Sequence, residues 1–139
     1  MRINLLRGSV IAALSIVLAA CVGAQREPSG DNLSDARQAC NRQYPRRIGS
    51  YLPHAACVND AIERLAIGRA RYPDLVRLQE DVRVSLSDKI DAREITVETA
   101  EHKMRRVDTL VARASRDRDA GQETSANRHI ATIDRILRE

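Results

Sequence analysis

Three cysteines and one histidine carry most of the reactive chemistry in this chain: Cys21, Cys40, Cys57, and His54 three residues before Cys57. A thiol can be acylated, oxidised to a disulfide or, as thiolate, hold a metal. The spacing does not favour a metal, because there is no CxxC, no CxxCH and no HxxxH pair, and His102 and His129 stand in other segments. The stretch Ser87 to Lys103 has the Asp, Ile and Glu residues of an EF-hand. With Asp88 at its first position, however, Ile90, Ala92, Arg93 and Thr99 fall where oxygen ligands, a glycine and a bidentate Glu are needed. A catalytic nucleophile needs a base held beside it, and the chain has no GxSxG and no Cys/His signature. Glu80-Asp81, Asp88 with Asp91, and Glu98 with Glu101 are interleaved with arginines, which reads as solvated salt bridging. These readings predict no catalytic residue, no cofactor and no metal.

The location of Cys21 narrows its chemistry. Arg2 and Arg7 precede an apolar run, Val10 to Leu18, interrupted only by Ser15, and the chain turns polar at Gly23-Ala24-Gln25-Arg26-Glu27. A permanent span needs about 20 apolar residues, so export followed by cleavage fits this segment better. Leu18-Ala19-Ala20-Cys21 resembles the lipobox of the bacterial prolipoprotein class. The resemblance implies that residues 1–20 are a signal peptide. It also implies that Cys21 receives a thioether-linked diacylglycerol and an acylated N-terminus, enough chains for stable anchoring in the membrane. Val22 stands where members retained in the inner membrane carry Asp, which implies delivery to the outer membrane, facing the periplasm.

With Cys21 acylated, Cys40 and Cys57 are the two thiols left in an oxidising compartment, so a disulfide between them is expected. Removing residues 1–20 leaves 119 of 139 residues, one small domain. The 23 basic residues become 21 against 19 acidic ones, a net charge of +2, which gives no reason to expect a nucleic-acid partner. With no Phe, no Trp and three Tyr, the core has to come from Leu, Ile, Val and Ala, which suit helix packing and do not make deep aromatic pockets.

The elements that would position these groups are helical. Residues 21–32, with Pro28 and two glycines, read as a tether, and residues 33–139 as the domain. Leu33, Ala36 and Cys40 step by three and four, predicting a short helix from Ser34 to about Gln43 with Cys40 facing inward. Residues 44–54, with two prolines and a glycine, read as a loop, and a second helix is expected from Ala55 to about Arg71. A third begins at Pro73 with the stripe Leu75, Leu78, Val82, Leu86, Ile90, its opposite face carrying Arg77, Glu80, Arg83 and Asp88. Thr96 caps a fourth, whose Val97, Ala100, Met104, Val107, Val111 and Ala114 form an a/d seam to about Ala120. Gly121 is expected to break the chain before a last helix through Ala126, Ile130, Ile133 and Leu137. Ile95, Thr96, Glu98 and Lys103 are similar to the second-helix start of SHOCT-type short C-terminal domains, with Arg93 in place of their Gly and Ala100 in place of their aromatic. That similarity implies a helical hairpin and no function.

The expected fold is therefore all-α: a small disulfide-linked helical bundle with a helical hairpin, compact or elongated. Tyr44, Tyr51 and Tyr72 all lie near prolines, accompanied by Arg46 and Arg47, and Tyr and Arg anchor protein interfaces. These five residues are the expected partner-binding set. The expected role is a non-enzymatic adaptor or accessory subunit for a periplasmic protein. The alternative is a cell-wall binding protein or an inhibitor of a wall-degrading enzyme. The seam would pair within the chain, leaving a monomer or a weak helical homo-oligomer.

Overall fold

The computed structural model describes residues 32–139; the expected signal peptide, the lipidation residue Cys21 and the tether up to residue 31 lie outside the described residues. The described chain is all-α, with five helices. Helix α1, Leu33–Gln43, opens on Asn32, whose Oδ1 accepts from the Asp35 N–H at 3.0 Å, and it stops at Tyr44, which cannot stay helical before Pro45. Cys40 and Cys57 form the expected disulfide, Cα atoms 5.8 Å apart, tying α1 to the first turns of α2, Tyr51–Leu65.

Two boundaries differ from those read off the sequence. The loop expected over 44–54 ends at Ser50, and Tyr51 to His54 are the first turn of α2. Pro53 is compatible because its missing N–H falls in the first turn, where no intrahelical acceptor exists. The free N–H groups there are met from a distance: the Asp91 carboxylate accepts from Gly49, Tyr51 and Leu52. At its other end α2 stops at Leu65, short of Arg71, and a single 3₁₀ turn, Ile67–Arg69, carries the chain through Gly68 toward Pro73.

Helix α3, Pro73–Asp91, α4, Val97–Asp119, and α5, Glu123–Arg138, follow. Thr96 caps α4 as expected, Oγ1 accepting from the Thr99 N–H at 3.2 Å. Gly121 does break the helix. At φ 71° it lets Gln122 N–H reach the Asp117 carbonyl at 2.7 Å while its own N–H reaches Arg118, the Schellman arrangement.

Helix α3 is the axis of the bundle. The hairpin α1/α2 packs on one side of it through α2, and the hairpin α4/α5 packs on the other. The main core joins Val82, Leu86 and Ile90 of α3 to Ala100, Val107 and Leu110 of α4 and Ile133 and Ile136 of α5. The seam thus pairs within the chain, each buried Val or Ile worth roughly 1.5–3 kcal/mol. A second core gathers Cys40, Val58 and Ile62 under α1, and a third joins Leu75, Ala114 and Ala126 at the start of α3. This sandwiching overturns one expectation. Glu80, placed by periodicity on a solvated face, is only 6 % exposed, because α2 covers that face.

A candidate partner groove between α2 and α4

Because α2 and α4 each pack on α3 but not backbone to backbone on each other, they leave a channel whose floor is α3. At one end it is lined by Tyr51, His54, Leu86, Ala100 and Glu101, with Arg46 at its lip. At the other end lie Leu33, Val58, Ile62, Val76 and Asp108, with Arg37 on the rim. Arg83 and Met104 belong to both ends and mark the middle. The first end is mainly apolar, and the second mixes apolar with polar and charged side chains.

The charge along this channel is not balanced in place. Arg46 meets Glu101 at 3.4 Å, an exposed and weak pair, and Asp108 accepts from Gln79 at 2.9 Å. Half-buried Arg83 donates through Nη1 to Asn59 Oδ1, and no carboxylate lies within ion-pair distance of it among the described residues. Burial, and next the neighbouring Arg37 guanidinium, hold the Arg83 pKa below its ordinary value. His54 is likewise pushed down, first by burial and then by Arg46 and Arg83. Its Nε2 donates to Asn41 Oδ1 at 2.7 Å, a strut between α2 and α1. The middle of the channel therefore offers cationic donors with no carboxylate in direct contact among the described residues, while Glu80 and Asp108 act on Arg83 only through space and do not offset its burial.

Below the channel, Glu63 takes the Arg77 guanidinium at 2.9 and 3.3 Å, and Glu80 lies beside them with Oε1 unpartnered among the described residues. Burial, and then the adjacent Glu63 carboxylate, raise the Glu80 pKa. With no nucleophile beside it, this cluster is a polar seam between α2 and α3.

The expected partner-binding residues separate into two groups. Tyr44 at the end of α1 accepts from Gln43 Nε2 at 3.1 Å, Arg46 reaches Glu101, Arg47 sits exposed beside Ser50, and Tyr51 packs on the main core at the mouth of the channel. Beside them Ile48, 47 % exposed, lines a hollow with Ile95 and Val97. Tyr72 is not among them. It opens α3, whose 19 residues put it about 27 Å from Asp91 and the Tyr51 end. There its hydroxyl donates to Asp119 Oδ1 at 2.6 Å, and the Arg118 guanidinium sits 5.1 Å from its ring centre. That first contact raises the Tyr72 pKa.

Arg37, Arg83 and Met104 were not expected to share a site. Periodicity puts Arg83 in solvent and Met104 on the seam; Arg83 is half-buried instead, while Met104 packs against the main core as the seam requires. The signal for them was the second set of three-and-four steps on α3, Val76, Gln79 and Arg83, which only becomes a wall once α2 is placed beside it. Comparison with protein-family models, with curated proteins and with solved structures finds no match to this chain.

Proposed function

We propose that the chain is a non-enzymatic adaptor, held by lipid on Cys21 at the periplasmic side of the outer membrane, that receives one helix of a protein partner in the channel between α2 and α4. The observation that carries this reading is Arg83, half-buried where the two ends of the channel meet, with no carboxylate in ion-pair contact among the described residues. A half-buried guanidinium that carboxylates reach only through space leaves room for a direct partner, and an acidic side chain from outside supplies it with a charge-assisted bond. The occupant is an amphipathic helix, its apolar face against Met104 and Val58 and a Glu or Asp directed at Arg83 and Arg37. The exposed Ile48 and Arg47, with the half-buried Tyr44, supply the adjoining rim.

The test is site-specific photocrosslinking in cells from Met104, with the exposed Thr109 on the outer side of α4 as the control, followed by identification of the captured protein and reconstitution from purified components. Capture from Met104 and not from Thr109, with affinity falling about tenfold or more on Arg83→Glu, supports the reading. Capture from neither position, or an affinity indifferent to Arg83→Glu, ends it. Mass spectrometry of the native chain tests the anchor separately, through the acyl mass on Cys21.

A further inference from the structure

The outward side of the α4/α5 hairpin carries a pattern unrelated to the channel. On α4, His102, Arg106, Thr109, Arg113 and Arg116 step by four and three, and all are exposed. On α5, Thr124, Arg128, Ala131, Arg135 and Arg138 do the same. No acidic residue interrupts either row, since Glu101 and Asp108 turn to the channel on the other flank of α4. None of these six arginines takes part in an ion pair or a side-chain hydrogen bond among the described residues, whereas Arg64, Arg71, Arg77, Arg105 and Arg118 all do. The rows lie side by side: at the end of α5, Glu139 is bound by Lys103 at 3.0 Å and also feels the charges of Arg106 and Arg135.

Two antiparallel helices packed along their length present such rows as a broad, nearly flat array. Neighbouring arginines within a row stand one to two helical turns apart, about 5–10 Å, and the axes about 8–10 Å apart. The other residues of the rows are His102, Thr109, Thr124 and Ala131, so the face lacks the large aliphatic, Tyr or Trp anchors that a protein interface needs at its centre. Flatness, repeated guanidinium groups and missing apolar anchors suit a plane of phosphates more than a groove or a knob.

We propose that this arginine face lies on an anionic phospholipid surface, turning the channel on the other flank of α4 toward solution. The location rests on the membrane-anchored reading above; the binding itself does not need the anchor. Juxtamembrane cations gain from a negative leaflet and lose that gain as salt rises.

The test uses the full chain translated without membranes, hence unacylated, and floated with vesicles of phosphatidylcholine alone or enriched in phosphatidylglycerol. Flotation should rise with the anionic lipid, fall about tenfold or more in the triple variant Arg106→Glu, Arg113→Glu, Arg135→Glu, and survive replacement of the same three by Lys. Thermal melting of each variant, followed by circular dichroism, establishes that the helices persist. Reversal of three arginines elsewhere, Arg42, Arg47 and Arg69, leaves flotation on anionic vesicles near the parent level if the face is specific. Equal loss in that control set overturns the assignment, as does flotation indifferent to lipid charge. Retention on purified wall sacculi or on single-stranded nucleic acid, without vesicle binding, overturns it as well. Failure of the Cys21 anchor would leave these results unchanged, so the two readings fail separately.

Discussion

The carboxylate of Asp91, in the last turn of α3, accepts from the backbone N–H of Leu52, in the first turn of α2, at 2.9 Å. The same carboxylate takes Gly49 at 2.7 Å and Tyr51 at 3.2 Å, so one side chain caps a helix 40 residues away in sequence. Ser50, at the local cap position, provides no side-chain bond of its own. Asp91→Ala leaves three N–H groups at a helix start without this partner and should cost about 2 kcal/mol by urea denaturation, while Asp91→Asn, which keeps one acceptor oxygen, recovers part of it. Because α2 forms one wall of the channel, both variants should also increase amide hydrogen exchange over residues 49–54.

Arg93 has φ 61°, the one non-glycine residue in that region among those described. It ends α3 with the same bonds that Gly121 makes after α4: its N–H meets the Ile90 carbonyl at 2.9 Å, and Glu94 N–H meets Lys89 at 2.8 Å. Arginine carries a steric penalty there that glycine does not, and the side chain is exposed. Arg93→Gly should raise stability by about 0.5–1 kcal/mol, whereas Arg93→Val should lower it. Unchanged urea midpoints in both would show that the turn carries no such strain.

The disulfide closes a loop over a sequence separation of 17 residues and ties α1, the most peripheral helix, to the bundle. Helix α1 packs on α2 alone, through a small core of which Cys40 is itself a member. Replacing both cysteines by Ala should therefore cost about 3 kcal/mol, and reductant should shift the parent chain by a similar amount and the double variant not at all. The α1 segment should be the first to open, read as protease cleavage within residues 33–50 before the rest of the chain.

What the sequence disclosed was local, and what it hid was tertiary. Thr96 beside Thr99, Pro73 at a helix start and Gly121 after a charged run each impose their structure within a few residues, and each does so here. The pairing of Cys40 with Cys57 follows from setting Cys21 aside as the expected acylation site, which leaves two thiols to pair. Pro53 pointed the wrong way, because a proline that breaks a helix interior is harmless in a first turn, and only the distant Asp91 makes that turn stable. Periodicity puts Glu80 and Arg83 in solvent because it registers one apolar stripe on α3, whereas α3 is covered on two sides. The channel was illegible for the same reason: it is the space left where α2 and α4 fail to meet, and no periodicity within one helix records a gap between two others. Of the five expected contact residues, four gather near the Tyr51 end, while Tyr72 shares with them only a neighbouring proline.

Glu80 links burial to pH. It is enclosed between α2 and α3 with Glu63, Arg77 and Arg83 around it; burial first, and Glu63 second, raise its pKa above the ordinary glutamate value. A raised folded-state pKa means that the native chain holds the proton more tightly than the unfolded one. Its contribution is thus fully favourable below the ordinary glutamate value and is lost as pH climbs through the raised one. Glu63 behaves oppositely. The Arg77 bond lowers its pKa, so its contribution is present above the ordinary value and is lost as pH falls through the lowered one. The two effects occupy opposite sides of the ordinary glutamate value and can be read apart in urea midpoints across pH. Glu80→Gln keeps the shape, lets an amide donate toward Glu63, and should abolish the decline on the higher-pH side, with a gain of about 1 kcal/mol at neutral pH. Glu63→Gln should abolish the acid-side loss and leave the other limb in place. A Glu80→Gln profile parallel to the parent at every pH would mean that the buried carboxyl titrates like an exposed one.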